Sequence, residues 1–191
     1  MIRLLVVLSL ILPVYGFSVE NDSAKSVVEE IFNKAAQEKV KVDQKFQNSI
    51  NANVDFEAMA KAVLGKEGKK ISAKEFEWFY TTLKEIISRT VYPNAPEFLA
   101  GVKISYKNIE QKKNIIIVKS EVQNKADITE VNYSLAKAKD GSWKVIDVSF
   151  DDESWVESIK EQVSDTIKKK KWTGLKKQLN ERLEKLRQEQ K

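Results

Sequence analysis

Residues 102–150 read VKISYKNIEQKKNIIIVKSEVQNKADITEVNYSLAKAKDGSWKVIDVSF. Along this stretch apolar residues alternate with polar ones, as in Val102, Ile104 and Tyr106, and later in Thr129, Val131, Tyr133 and Leu135. A repeat of two residues is typical of strands that bury one face. The stretch therefore predicts a β-sheet, and the segments on either side are interpreted relative to it.

Four strands are expected in this sheet. The second begins with four adjacent apolar residues, Ile115 to Val118, which predicts a start that is buried on both faces. Asp140-Gly141 predicts a tight hairpin into the fourth strand, which runs from Trp143 to Phe150. Strands joined in this order form an antiparallel meander, with helices covering one face while the other remains partly wet.

The segment before the sheet has helical periodicity. Apolar residues recur at steps of three and four at Val27, Val28, Ile31, Phe32 and Ala35, and then at Val42, Phe46 and Ile50. Ser26 and Glu29 have the spacing of a capping box, which predicts a helix start at Ser26. The pattern is compatible with one long helix or with two consecutive helices.

Two further helices are predicted before residue 102. Asp55 is a candidate N-cap and Gly65 a candidate C-cap of a short helix, which a charged loop follows. Ser72 and Glu75 form a second capping box, and Pro93 ends the helix that starts there. That helix has the clearest apolar stripe, at Phe76, Phe79, Tyr80, Leu83, Ile86, Ile87 and Val91.

Helices also follow the sheet, so the order helices, strands, helices predicts the α+β class. Ser154 and Glu157 form a third capping box, and the helix behind it ends at Lys168 to Lys171. These lysines either complement the helix dipole or contact anionic lipid or an acidic partner. A last helix has one stripe of leucines, Leu175, Leu179, Leu183 and Leu186, and a polar tail.

Residues 1–16 have the pattern of a secretory signal peptide. Arg3 precedes an apolar run from Leu4 to Leu12, and Val14 and Gly16 mark a cleavage site after Gly16. The run is shorter than the roughly 20 residues that a spanning helix needs, although an uncleaved anchor is the alternative. We therefore expect one domain over residues 17–191, with a polar C-terminal tail.

Composition excludes several classes of site. The chain has no cysteine and no histidine, which removes lipidated cysteine, disulfides, histidine triads and ordinary zinc sites. The formal charge is +5, but lysines and glutamates alternate along most segments, so no nucleic-acid patch is expected. The enzyme alternative would rest on Asp151, Asp152 and Glu153, the one dense carboxylate group. Because consecutive residues point in different directions, this group is more typical of a strand end and helix start than of an active site.

Two stretches resemble a known family. Asp55, Phe56, Met59, Ala60, Val63, Leu64 and Gly65, followed by a capped helix with Phe76, Phe79 and Leu83, form the first. Trp143, Lys144, Val145, Asp147 and Val148, then Ser154, Gln162, Gly174, Leu175 and Leu179, form the second. In order and spacing they resemble MlaC, the toluene-tolerance auxiliary proteins, over about residues 25 to 183.

The resemblance implies a fold and a function. The fold would be a nuclear-transport-factor-like cone in which a curved sheet and helices enclose an apolar cavity. The protein would be a monomeric periplasmic carrier, not an enzyme, with phospholipid as cargo and no other cofactor. Its partners would be an inner-membrane ABC transporter with an MCE-domain protein and an outer-membrane complex of a lipoprotein and a porin.

Candidate lipid-binding residues lie on the expected helix-facing side of the sheet and the sheet-facing stripe of the helices. They are Val63, Phe79, Leu83, Ile86, Ile104, Tyr106, Ile117, Val131, Tyr133, Val145 and Val148. Each could instead belong to an ordinary core, and a cavity filled by its own side chains would make the protein an interaction module without cargo. Gly68, Asp152 and Glu153 depart from the family pattern, which predicts a more acidic cavity mouth.

Overall fold

The structure is a computed structural model that describes residues 15–36, 43–95, 99 and 101–189, with side chains from residue 19 onward. The predicted signal peptide falls outside these residues, except for the backbone of positions 15 and 16. The last two residues of the predicted polar tail, 190 and 191, also fall outside.

The sheet has five antiparallel strands in the order β1-β2-β3-β4-β5. They are β1 (Lys103–Lys112), β2 (Ile115–Asn124), β3 (Asp127–Lys137), β4 (Trp143–Phe150) and β5 (Glu153–Ser154). The α+β class and the four-strand meander are confirmed, but β5 was not predicted. It forms because Asp151 and Asp152 both have positive φ, 48° and 66°, which turns the chain back onto β4.

Five α-helices have both ends within the described residues. They are α1 (Tyr15–Ala35), α2 (Gln44–Asn51), α3 (Phe56–Leu64), α4 (Ala73–Val91) and α5 (Trp155–Glu189). The periodic segment before Asp55 therefore forms two helices. The expected charged loop after α3 contains a 3-10 turn, Glu67–Lys70, and a second 3-10 turn, Tyr92–Asn94, follows α4.

Most predicted helix ends are confirmed by their hydrogen bonds. The Asp55 carboxylate accepts a bond from Ala58 N at 2.8 Å, and Gly65 ends α3 with φ 50°. Ser72 and Glu75 form the full capping box of α4. Ser154 Oγ accepts from Glu157 N at 3.0 Å at the start of α5.

The predicted helix start at Ser26 is wrong. Ser26 lies inside α1, and its hydroxyl donates to the carbonyl oxygen of Asp22, one turn earlier, at 2.8 Å. Inside a helix the backbone N–H groups already donate to carbonyl oxygens, so none is free for a serine hydroxyl to accept from. The hydroxyl donates to a carbonyl oxygen of the preceding turn instead. The Ser-x-x-Glu spacing marks a helix start only where the helix begins.

The two helices predicted after the sheet are the two arms of α5. The arms meet at Lys171, whose φ of 61° and ψ of 179° are not helical. Trp172, directly after the break, packs edge-to-face on Trp78 of α4 with ring centroids 5.9 Å apart. A Cβ on Gly174 would lie 2.3 Å from Lys170 Cβ, so the sharp bend requires glycine there.

The main core lies between the helices and one face of the sheet. On β2 the fully buried Ile116 and Val118 point into it, so Ile117 lies on the opposite face. The placement of Ile117 on the helix-facing side is therefore wrong, because successive side chains of a strand alternate between faces. A smaller second cluster comprises Ala35, Phe46, Ile50 and Tyr92.

The pairing of β3 with β4 shifts by one residue near Asp147. Leu135 lies opposite Val145, whereas Ser134 lies opposite Asp147 and Tyr133 opposite Val148. The extra residue of such a bulge restores Val148 to the face that Val145 occupies, although the two are three positions apart. Asp147 then accepts bonds from Val156 N at 3.0 Å and Ser154 Oγ at 2.6 Å, which fixes the start of α5 against β4.

Candidate functional site

An apolar cavity of about 590 Å³ lies between the second cluster and one end of the sheet. Its volume is within the roughly 300 to 1,000 Å³ typical of small-molecule sites. Helices supply one wall through the apolar residues Ile31, Phe32, Ala35, Phe46, Ile50, Tyr92, Ala95 and Leu99. The sheet side supplies the other through Val102, Val122, Val131, Tyr133, Val148 and Phe150.

Strand register explains why the sheet wall is apolar. Val131 lies opposite Phe150, and Tyr133 lies opposite Val148, so two cross-strand pairs bring four side chains to one face. Val122 on β2 extends this surface toward β1. The bulge near Asp147 is necessary, because an unbroken alternation from Val145 would turn Val148 and Phe150 to the other face.

The helix wall is held by aromatic packing and one hydrogen bond. Phe46 of α2 and Tyr92 after α4 meet edge-to-face with ring centroids 6.0 Å apart. The Tyr92 hydroxyl donates to Asn51 Oδ1 at 2.7 Å. These contacts join α2 to the end of α4 in the wall of the cavity.

Two phenols that line the cavity, the buried Tyr92 and the partly buried Tyr133, are uncharged. Burial raises the pKa of Tyr133 to about 12, and burial likewise raises the pKa of Tyr92 to about 12. Burial also raises the pKa of Tyr106, which lies near Tyr133. The tyrosines are therefore neutral at physiological pH, which suits an apolar occupant.

The mouth of the cavity combines exposed apolar and polar residues. Phe150 and Val91 both line the cavity, yet 47% and 41% of their surfaces are exposed. The polar lining residues are Thr90, Asn94, Asn124, Asp127 and Thr129. Large apolar side chains exposed beside an apolar cavity are typical of a binding site.

Residues 21–181 match the family described as MlaC protein. The chain belongs to the MlaC family. Its fold also resembles that of the phospholipid-binding protein from Ralstonia solanacearum, solved in complex with a phospholipid. The TM-score is 0.72 at 20% sequence identity, over 87% of this chain and 97% of that one. Among curated proteins, none matches the chain.

Three of the predicted lipid-binding residues line the cavity of this MlaC-family chain. They are Val131, Tyr133 and Val148, which meet through the β3–β4 pairing. The family resemblance and strand alternation placed these three on the helix-facing side of the sheet. Their contact with lipid stays a prediction.

The other predicted residues lie elsewhere. Val63, Phe79, Leu83 and Val145 are buried in the main core, where α3, α4 and α5 pack together and against β4. Tyr106 packs against that core with Lys25 Nζ 5.1 Å from its ring centroid. Ile86 and Ile104 are half-buried, on α4 and on β1 opposite Val122, and Ile117 is on the other face of β2.

Sequence reasoning missed most of the helix wall. Ile31, Phe46 and Ile50 were identified as members of an apolar helical stripe, but not as cavity residues. Tyr92 follows the last residue of the α4 stripe and precedes Pro93. A large aromatic residue where a proline ends the helix could have indicated that this helix end is buried against another part of the fold.

Two of the three carboxylates on which the enzyme alternative rests, Asp151 and Asp152, stabilise or form a turn of the fold. Asp151 Oδ1 accepts a bond from Glu130 N at 3.0 Å, and Asp151 with Asp152 forms the turn into β5. Among the described residues, no group of three or more acidic side chains is arranged to hold a metal ion. The helices in the described ranges also include none that is long and apolar enough to cross a membrane.

Proposed function

We propose that this protein is a periplasmic phospholipid carrier that holds acyl chains in the apolar cavity and shuttles lipid between the outer and inner membranes. The observation that carries the proposal is the cavity itself, which is about 590 Å³ in volume and lined mainly by aliphatic and aromatic side chains. Membership of the MlaC family and the phospholipid complex of the Ralstonia protein support the same cargo.

The physical task explains the form of the site. Exposing one methylene to water costs roughly 0.8 kcal/mol, and two acyl chains contain roughly 30 of them. A carrier must cover most of this surface while still releasing the lipid at each membrane. An apolar cavity with uncharged phenols does this, because it offers the chains an environment similar to the bilayer interior without a strong specific bond.

The proposed route follows from the family. An inner-membrane ABC transporter with an MCE-domain protein and an outer-membrane complex of a lipoprotein and a porin would exchange lipid with the carrier. The predicted signal peptide at residues 1–16 would deliver residues 17–191 to the periplasm as a monomer, with no catalytic function.

Lipid extraction tests the proposal. Protein purified from periplasm without detergent is extracted with organic solvent, and the extract is analysed by mass spectrometry and phosphorus assay. We expect phospholipid in a fixed ratio to protein. An extract without phospholipid would contradict the carrier function and favour the alternative, a periplasmic interaction module of the same fold without cargo.

A further inference from the structure

The cavity changes character toward its mouth. Along β3 the lining begins with Asp127 and Thr129 and continues with Val131 and Tyr133. Asn124 lies opposite Asp127 across the β2–β3 turn, so the polar residues of the sheet wall gather at one end of the sheet. An amphipathic lipid would lie with its chains along the apolar part and its headgroup at this polar end.

The one charged side chain described in the lining of the polar end is acidic. Asp127 is the one ionisable acid or base among the described lining residues apart from the tyrosines, and no lysine or arginine occurs in that set. Asp151 and Asp152 follow Phe150 directly, but neither lines the cavity, and the Asp151 carboxylate accepts a bond from Glu130 N. Lys125 lies in the turn between β2 and β3 with φ 56°, but it does not belong to the described lining.

We propose that the mouth favours phospholipids whose headgroup has an ammonium group, with Asp127 as the counter-ion. The amide of Asn124 and the hydroxyl of Thr129 are neutral donors, which can bond to the lipid phosphate without adding charge. A headgroup with net negative charge would meet the Asp127 carboxylate without a lining cation to compensate. This selectivity rests on the proposed function, since it concerns the same cavity.

The expected preference is modest because Asp127 is exposed. Ion pairs in contact with water are weakened by solvent and salt. We therefore expect about a two- to fivefold enrichment of the zwitterionic lipid over the anionic one.

The test is a competition between two lipids. Detergent-free protein is incubated with vesicles of equal parts phosphatidylethanolamine, which has an ammonium group, and phosphatidylglycerol, which is anionic. The protein is separated from the vesicles, and its bound lipids are quantified by mass spectrometry. Wild-type protein should be enriched in phosphatidylethanolamine, Asp127→Asn should lose the enrichment, and Asp127→Lys should favour phosphatidylglycerol.

A matched control separates local from overall charge. Glu161→Lys changes the net charge as Asp127→Lys does, but Glu161 is exposed on α5, away from the cavity lining. It should leave the lipid ratio unchanged, and thermal unfolding should show that all variants are folded. Wild type and Asp127→Lys with the same lipid ratio would overturn the proposal. If wild type binds no phospholipid at all, the carrier function itself fails, whereas bound lipid without selectivity refutes only the headgroup preference.

Discussion

Tyr133 on β3 and Val148 on β4 are directly opposite each other on adjacent strands, and both side chains line the apolar cavity. Their pairing depends on the bulge near Asp147, since Val145 and Val148 share a face only because one residue is inserted between them. The same bulge places the Asp147 carboxylate at the start of α5. The cavity wall and the anchoring of the last helix therefore depend on one irregularity.

Filling the cavity should expel the cargo. Val148→Trp adds a large apolar side chain inside the cavity, so we expect lost phospholipid with little change in melting temperature, because protein contacts replace lipid contacts. Phosphorus assay and thermal unfolding on the same samples measure both effects. A folded Val148→Trp protein with undiminished phospholipid would show that the lipid lies elsewhere.

Leu83→Trp is the matched control for this substitution. Leu83 is only 5% exposed and belongs to the main core, so the larger side chain should overpack it. We expect the free energy of unfolding to fall by about 1 to 3 kcal/mol while phospholipid stays bound. The reverse result, lipid loss without destabilisation, would show that the lipid-binding cavity reaches into the main core.

An ion pair fastens the C-terminal arm of α5 to α4. Glu85 accepts bonds from Arg187 Nη2 at 2.8 Å and Nε at 3.0 Å. The bonds from Arg187, together with those from Arg89, lower the pKa of Glu85 below its ordinary 4.5. Because both side chains are partly exposed, Arg187→Gln should reduce the free energy of unfolding at pH 7 only slightly.

This loss should depend on pH. A carboxyl whose pKa is lower in the folded state stabilises the fold above its unfolded pKa of 4.5, and the stabilisation disappears as the pH falls through the folded value. The difference between wild type and Arg187→Gln in urea unfolding should therefore shrink below pH 4.5. Lys185→Gln, on the same arm, should show little effect at either pH, and a pH-independent loss for Arg187→Gln would contradict the assignment.

The break in α5 is a strained position. The φ of 61° and ψ of 179° at Lys171 lie in a region that glycine occupies at low cost and other residues do not. Lys171→Gly should therefore raise the free energy of unfolding by about 1 kcal/mol. Lys169→Gly, in the regular helix, should lower it by about 1 kcal/mol, and two substitutions of equal sign in urea unfolding would show that Lys171 is not strained.

The lysines at the break either complement the helix dipole or contact anionic lipid or an acidic partner, and the lipid contact can be tested with vesicles. Changing Lys168 to Lys171 to glutamine should leave folding and bound lipid intact while weakening binding to anionic vesicles, by up to about 1 kcal/mol per lysine. Vesicle sedimentation at low salt measures the effect. Glutamine at Lys103, Lys107, Lys112 and Lys113, exposed in or beside β1, removes the same charge and should weaken binding less. Equal vesicle binding by wild type and the first variant would exclude contact with anionic lipid.

Export and cleavage make a prediction about the N-terminus. Protein from a periplasmic extract should start at Phe17, because the signal pattern places cleavage after Gly16. Its intact mass should therefore equal that of residues 17–191. A cytoplasmic, full-length product would contradict it.

Local chemistry determined much of the fold. Strand alternation, the Asp140-Gly141 turn and the caps at Asp55 and Ser72 each depend on neighbours a few residues away, so the sequence contains the whole interaction. The same local pattern can also mislead. Ser26 has the spacing of a capping box, but it lies inside α1 and caps no helix. The turn at Asp151 and Asp152 was also missed, because two aspartates with positive φ are uncommon.

The cavity was decided by tertiary structure. Leu83 and Val148 are both apolar residues on inward faces, yet one is in the main core and the other lines the cavity. Whether an apolar side chain meets protein or a gap depends on the spacing between elements that are distant in sequence, here between Phe46 and Tyr92 on one side and the β3–β4 pairs on the other. The periodicity of the sequence determines which face a residue occupies, but the distance to the opposite wall results only from how the helices pack.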